Sequence, residues 1–187
     1  MDDLIFVTGS RGKLLEAERI LGRPIIQKEL DLPEIQSLNV EEVVEKKAKA
    51  AYELSGSIPV IVEDTGLYIE CWHGLPGALI RWFLETVGPN GICQMLDNFP
   101  NRAAIAKSIV AKYDGSHQLY TGEVKGTISP APRGDNGFGW DAIFIPEGDT
   151  RTFAEMSPEE KDRFSMRKIA FEKLAEAERR NLGEQAV

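Results

Sequence analysis

Leu4-Ile5-Phe6-Val7-Thr8-Gly9-Ser10-Arg11-Gly12-Lys13 places four consecutive apolar residues directly before a polar, glycine-containing turn. An apolar run without polar alternation is the pattern of a strand covered on both faces, which requires helices on both sides of a sheet. Apolar residues then recur at helical spacing at Leu14, Ala17 and Leu21, so the segment reads strand, turn, helix. Pro59-Val60-Ile61-Val62 repeats the β-branched run, is halted by Glu63-Asp64-Thr65-Gly66, and is resumed as a strand by Leu67-Tyr68-Ile69-Glu70. These two segments decide an α/β fold.

The remaining elements fit around them. Ile25-Ile26 begins a second strand and Asp31-Leu32-Pro33-Glu34 is a loop. Val40, Val43, Val44, Ala48, Ala51 and Leu54 form an apolar stripe among Glu and Lys, the mark of an amphipathic helix, which Ser55-Gly56-Ser57 ends. After the turn Gly74-Leu75-Pro76-Gly77, residues 78–87 and 91–96 read as two short helices separated by Gly88-Pro89. Residues 103–113 and 118–129 pair antiparallel about Asp114-Gly115-Ser116, as a hairpin reaching out of the main sheet. Arg133 to Gly139 is a Gly-rich loop, and Ala142-Ile143-Phe144-Ile145 a last short strand. Ser157 caps a helix beginning at Pro158, and a long charged helix runs from about Ser165 to Arg180. The expectation is a single domain over residues 1–187, mixed α/β, with three apolar strands each ending at a polar, Gly-containing loop.

Composition limits the partners. The chain of 187 residues carries 22 Lys+Arg against 30 Asp+Glu, a net charge of −8, which excludes the broad basic face that grips nucleic acid polymers. No run approaches the roughly 20 apolar residues of a membrane span, and Met1-Asp2-Asp3 lacks the basic start of a secretory signal, so a cytoplasmic protein without a membrane partner is expected. Cys71 and Cys93 read as reduced thiols, and His73 and His117 as turn or surface residues.

In open α/β sheets ligands sit beyond the carboxyl ends of the strands, which directs attention to three loops. Thr8-Gly9-Ser10-Arg11-Gly12-Lys13 offers backbone N–H groups, two hydroxyls, a helix N-terminus and a lysine, all suited to phosphate, at a spacing too short for a Walker A loop. Glu63 and Asp64, with Glu34 from another loop, are hard oxygen ligands suited to Mg²⁺. Phe138-Gly139-Trp140-Asp141 offers aromatic walls for a planar ring and a carboxylate for ring N–H groups. Alone, the first loop reads equally well as an ordinary turn and Glu63-Asp64 as an acidic cap, while Glu34 reads better as a solvated loop acid and Phe138-Gly139-Trp140-Asp141 as an aromatic core strand beside a turn.

Taken together the motifs form a resemblance. Thr8-Gly9-Ser10 with Lys13 and Glu16, Leu32-Pro33-Glu34, Glu63-Asp64-Thr65-Gly66-Leu67, Gly74-Leu75-Pro76-Gly77, Phe138-Gly139-Trp140-Asp141 and Phe153-Ala154-Glu155-Met156 with Glu160-Lys161 occur in this order over nearly the whole chain. The sequence resembles the inosine triphosphate pyrophosphatase family, which acts on noncanonical purine nucleoside triphosphates. The resemblance implies an elongated mixed sheet with flanking helices and two lobes around a central nucleotide-binding cleft. It also implies a homodimer and hydrolysis of ITP, dITP or XTP to the monophosphate and pyrophosphate with Mg²⁺. By the same resemblance Thr8, Ser10 and Lys13 fall to the substrate triphosphate, Gly9 and Thr65 to substrate binding, and Glu34 and Asp64 to the metal. Phe138, Gly139, Trp140 and Asp141 fall to the base, with Lys161, Ser165, Met166 and Arg167 completing the substrate site; Lys13 and Asp64 are the catalytic pair.

Two positions depart from the family pattern. Ser10 stands where the family has Asn, and Ser165-Met166-Arg167 where it has Ser-His-Arg. Altered or relaxed base selectivity through Ser10 and Met166 is one alternative reading, and a nucleotide-binding protein with little turnover another. Met166 also shares a helical face with Ala170, Leu174 and Ala177, which suits core packing. Leu79, Ile80, Trp82 and Phe83 offer a dimer interface.

Overall fold

The computed structural model describes residues 4–184. In chain order the elements are β1 (Ile5–Val7), α1 (Arg11–Leu21), β2 (Ile26–Lys28), α2 (Val40–Leu54), β3 (Val60–Ile69), β4 (Pro76–Gly77), α3 (Ile80–Thr86), α4 (Gly88–Met95), β5 (Ala103–Tyr113), β6 (His117–Ile128), β7 (Phe144–Pro146), α5 (Pro158–Asp162) and α6 (Met166–Glu184). The sheet runs β2-β1-β3-β5-β6-β7, with β4 on β3. β1 pairs parallel with β2 and β3; β5, β6 and β7 continue antiparallel, so the sheet is mixed.

Alternation along the strands sorts side chains to two faces. Phe6, Ile61 and Val110 pack with Leu14 and Ala17 of α1 and Ala170, Phe171 and Leu174 of α6. Their neighbours Val7, Val60, Val62 and Ile109 pack instead with Val40, Val44, Ala48 and Ala51 of α2. Toward the far end of the same long strands, Leu67, Ile69, Ala104 and Ile128 join Ile80, Ile92, Leu96, Trp140, Phe144 and Phe153 in another core. Each large side chain in these cores is worth about 1.5–3 kcal/mol of burial. The molecule thus has two packed regions joined by continuous strands, and β3 crosses the junction at Glu63, Asp64 and Thr65.

Two glycines permit close approaches that shape this frame. A Cβ on Gly122 of β6 would lie 1.9 Å from the carbonyl oxygen of Met166, so α6 docks directly onto backbone. Gly77, with φ 57°, would place a Cβ 2.5 Å from the carbonyl oxygen of Leu38. Its absence lets Ala78 N–H donate to that carbonyl at 3.2 Å, tying the loop that carries Glu34 to β4.

The structure corrects three expectations. Glu63-Asp64-Thr65-Gly66 is the middle of β3, held in register by pairing of Val60 through Ile69 with Tyr113 through Ala104 of β5, and is not a turn. The last strand is Phe144–Pro146, beginning two residues after the expected start at Ala142, while the Gly-rich loop precedes it as expected. Leu54 is 56% exposed and lies outside the stripe that α2 buries. The hairpin, α2 and the Ser157 cap of α5 stand as expected.

Candidate functional site

A cleft of about 540 Å³ opens at the junction of the two packed regions. Its walls come from Thr8, Gly9, Ser10 and Lys13 beside α1, the loop bearing Glu34 and Gln36, and Val43 and Lys47 of α2. Asp64 and Thr65 of β3, α3, Phe138 through Asp141, and Met166 and Arg167 at the start of α6 complete it. Among charged side chains of this lining, Lys13, Lys47, Arg81 and Arg167 stand against Glu34, Asp64 and Asp141. The cleft thus concentrates cations that the chain as a whole, at net charge −8, lacks, and pairs most of them with neighbouring carboxylates.

At the α1 end the turn is ordered by its own side chains. Thr8 Oγ1 accepts from Ser10 N–H at 3.1 Å, and Ser10 Oγ caps α1 by accepting from Lys13 N–H at 3.3 Å. Lys13 Nζ lies 2.8 Å from Glu63 Oε2 and 3.8 Å from Asp64 Oδ1.

The two adjacent carboxylates of β3 both neighbour Lys13 but otherwise have separate partners. Asp64 faces α2: its Oδ1 accepts from Thr65 N–H at 2.9 Å and its Oδ2 from Lys47 Nζ at 3.4 Å. Lys47 also donates to Glu34 Oε1 at 3.0 Å, and Arg81 Nη1 lies 3.5 Å from Glu34 Oε2. Burial alone would lower the pKa of Lys47, but Asp64 and Glu34 outweigh it and raise the value, so the side chain is an ammonium. Glu63 faces α6, fully buried, where its Oε1 accepts from Ser108 Oγ at 2.6 Å and Arg167 Nε at 3.1 Å. Although burial disfavours its charge, Arg167 and Lys13 lower its pKa to about 2.

A buried ion ladder continues from there beneath the cleft. Arg167 Nη1 donates to Glu16 Oε2, and Lys161 Nζ donates to Glu16 Oε1 at 2.8 Å and to Asp141 Oδ2 at 2.7 Å. Burial works against the charges of Glu16 and Arg167, yet their mutual attraction, with Lys161 and Glu63 beside them, lowers the pKa of Glu16 and raises that of Arg167. Phe138 lies over this ladder, its ring centroid 5.3 Å from Lys161 Nζ and 5.4 Å from the Arg167 guanidinium carbon. Arg167 Nη2 has no hydrogen-bond partner among the described residues and remains a donor for a ligand.

Most of the expected site residues meet in this cleft: Thr8, Gly9, Ser10, Lys13, Glu34, Asp64, Thr65, Phe138, Gly139, Trp140, Asp141, Met166 and Arg167. Two do not line it. Lys161 is buried in the ladder, and Ser165 caps α6, its Oγ accepting from Lys168 N–H at 3.2 Å. Trp140 touches the cleft yet is 6% exposed, with its ring against Phe144 at 5.5 Å, so Phe138 is the more open aromatic. Met166, 2% exposed, belongs both to the cleft lining and to the core around Trp140.

Lys47 and Arg81 went unnoticed in the sequence. Lys47 follows Val43 by one turn beside the buried stripe of α2, which is the available signal for it. Arg81 arrives with α3, and Leu79, Ile80 and Trp82 line the cleft beside it. Trp82 Nε1 donates to Gln36 Oε1 at 2.8 Å, closing that side.

The donor chemistry fits a hard divalent ion. Glu34 and Asp64 already share one cation, the Lys47 ammonium, between oxygens of opposite elements. No cluster of three or more His, Cys, Asp or Glu suited to a metal occurs among the described residues. A pair of carboxylates leaving other positions to water and phosphate is the usual Mg²⁺ arrangement. Glu63 does not belong to this pair, since it is enclosed on the opposite face of β3.

An α/β protein with a helix N-terminus, several cations, a carboxylate pair and an open aromatic around one cleft is built for a small, highly anionic ligand with a planar group. Residues 4–177 match the profile of the Ham1 family, and the chain belongs to that family. It is 43% identical to a dITP/XTP pyrophosphatase of Methanopyrus kandleri over 96% of this chain and 97% of that protein. It is 45% identical to an inosine triphosphate pyrophosphatase of Yarrowia lipolytica over 91% of this chain and 93% of that one. Among solved structures, a HAM1 protein from Coxiella burnetii superposes with a TM-score of 0.77 at 26% identity, covering 95% of this chain and 98% of that one.

Proposed function

We propose that the protein hydrolyses noncanonical purine nucleoside triphosphates, ITP, dITP and XTP, to the monophosphate and pyrophosphate, cleansing the nucleotide pool. The observation that carries this reading is the joint placement of cations, carboxylate pair and open aromatic in one cleft of a chain 43% identical to a dITP/XTP pyrophosphatase. The phosphates lie toward Lys13, Lys47, Arg81 and the N–H groups of residues 8–10, and the base lies toward Phe138 and Arg167. Water attacks the α-phosphorus as the α–β oxygen bond breaks, and pyrophosphate leaves with the bonding electrons. Lys13 and Lys47 offset charge on the leaving group, and Asp64 orients the water and takes its proton. Glu34 and Asp64 would hold Mg²⁺, which when bound supplies charge neutralisation at the phosphates. Arg167 Nη2 donates to the 6-oxo group of the base; a 6-amino group leaves that donor unsatisfied at a cost of about 1–3 kcal/mol.

We further infer a homodimer, supported by exposed Leu75, Val87, Met95 and Phe99 on the α3–α4 end, and a cytoplasmic site of action, supported by the free thiols Cys71 and Cys93. A second reading, altered base selectivity, is favoured by Met166 in the cleft wall, where a thioether packs on a ring but cannot read its polar edge. Incubation with Mg²⁺ and ITP, XTP, GTP, ATP, dUTP and dTTP, measuring pyrophosphate against orthophosphate, tests the proposal. Pyrophosphate from ITP and XTP is expected. Orthophosphate, or no turnover of any member, defeats it, and preference for another base selects the second reading.

A further inference from the structure

The two carboxylates that face into the cleft are already held by a cation of the protein's own. Lys47 Nζ stands 3.0 Å from Glu34 Oε1 and 3.4 Å from Asp64 Oδ2, with its side chain only 14% exposed. Arg81 Nη1, 3.5 Å from Glu34 Oε2, adds a second positive group. Lys13, 3.8 Å from Asp64 Oδ1, is itself neutralised by Glu63 at 2.8 Å. Glu34, Asp64, Lys47 and Arg81 therefore sum to no formal charge, and such a cluster has little attraction for another cation. Were Lys47 removed, two carboxylates drawn together around it would be left with excess negative charge and strong demand for a counter-ion.

The three groups differ in freedom. Asp64 is fixed within β3, and Thr65 N–H engages its Oδ1 at 2.9 Å, leaving Oδ2 for Lys47. Glu34 sits on a loop, and Lys47 hangs from α2 on a flexible four-carbon stem. The ammonium is thus the member best able to leave, provided that another anion receives it. A triphosphate in the same cleft is such an anion.

We propose that Lys47 is a placeholder cation, occupying the Glu34–Asp64 pair in the free protein and yielding it to a divalent ion only when a nucleotide's phosphates arrive to accept the displaced ammonium. Metal and nucleotide then enter together, and the free protein does not hold metal in advance. This inference rests on the reading of Glu34 and Asp64 as metal carboxylates.

The test is binding of Mn²⁺, followed by electron paramagnetic resonance of the free ion, with and without the α,β-imido analogue of ITP. The unaltered protein should bind Mn²⁺ at least tenfold more tightly with the analogue than without it. Lys47→Met should bind Mn²⁺ alone at least tenfold more tightly than the unaltered protein, with Lys47→Gln as a second variant if the first does not fold. Lys46→Met, an equal charge change at the exposed neighbour on α2, should behave as the unaltered protein. Equal Mn²⁺ affinity for Lys47→Met and the unaltered protein, or an equal gain in Lys46→Met, overturns the proposal while leaving the carboxylates as metal ligands. If Asp64→Asn leaves Mn²⁺ binding to the analogue complex unchanged, the metal reading falls and the placeholder with it.

Discussion

Glu63 and Asp64 are consecutive residues of β3 whose carboxylates serve opposite faces of the sheet, Glu63 meeting Arg167 at 3.1 Å beneath α6 and Asp64 meeting Lys47 at 3.4 Å beside α2. One strand thus divides two tasks: Glu63 neutralises buried cations, and Asp64 presents an oxygen to the cleft. The division separates what each residue's replacement should do.

Asp64→Asn should lower turnover of ITP by about two to four orders of magnitude while the protein remains folded, since the side chain, 20% exposed, loses charge while Lys47 keeps Glu34 as a partner. Steady-state pyrophosphate release together with circular dichroism checks this. Turnover within tenfold of the unaltered protein contradicts the role given to Asp64.

Glu63→Gln should instead act on stability. Arg167 is 3% exposed and loses one of its two carboxylates, so a loss of about 3–5 kcal/mol is expected. Urea denaturation at neutral pH measures it, and a change below about 1 kcal/mol would mean that the ladder is not energetically coupled.

Acid should destabilise the protein through the same ladder. The folded-state pKa of Glu63 is lowered from 4.5 to about 2, and that of Glu16 is also lowered. A depressed carboxylate pKa contributes stability above its unfolded value and loses it as pH falls through the folded value. The urea midpoint should therefore be level above about pH 5 in this respect and decline between about pH 4.5 and 2, with a shallower decline in Glu63→Gln.

Gly122→Ala should destabilise by about 1–3 kcal/mol, because the new methyl group meets the Met166 carbonyl and forces α6 off the sheet. As α6 carries Met166 and Arg167 into the cleft, the KM for ITP should rise as well. Thermal denaturation and kinetics on one preparation test both effects.

Met166→His tests base selectivity. If Met166 reads the base, relative rates across the purine triphosphates should change by about tenfold or more, the scale of one hydrogen bond gained or lost. Unchanged ratios assign Met166 to the core that it shares with Trp140 and Phe153.

Much of this was legible in the residues themselves. The apolar run at Ile5–Val7 and its turn specified β1 and the start of α1, the stripe of α2 specified a buried face, and the spacing about Asp114-Gly115-Ser116 specified the hairpin. Those signals are local, because strand alternation, helical period and turn chemistry act over a few residues. Tertiary structure decided the rest. Glu63-Asp64-Thr65-Gly66 has the composition of a turn, yet pairing along the length of β5 keeps it extended. That extension in turn sends Glu63 and Asp64 to opposite faces. Lys161, legible as a cation near the base motif, became a buried counter-ion once α1 brought Glu16 beneath it. Lys47 and Arg81 carry no motif of their own; folding brings α2 and α3 to Glu34 and Asp64, and an ion pair across such separations in the chain is specified only by the packing that closes it.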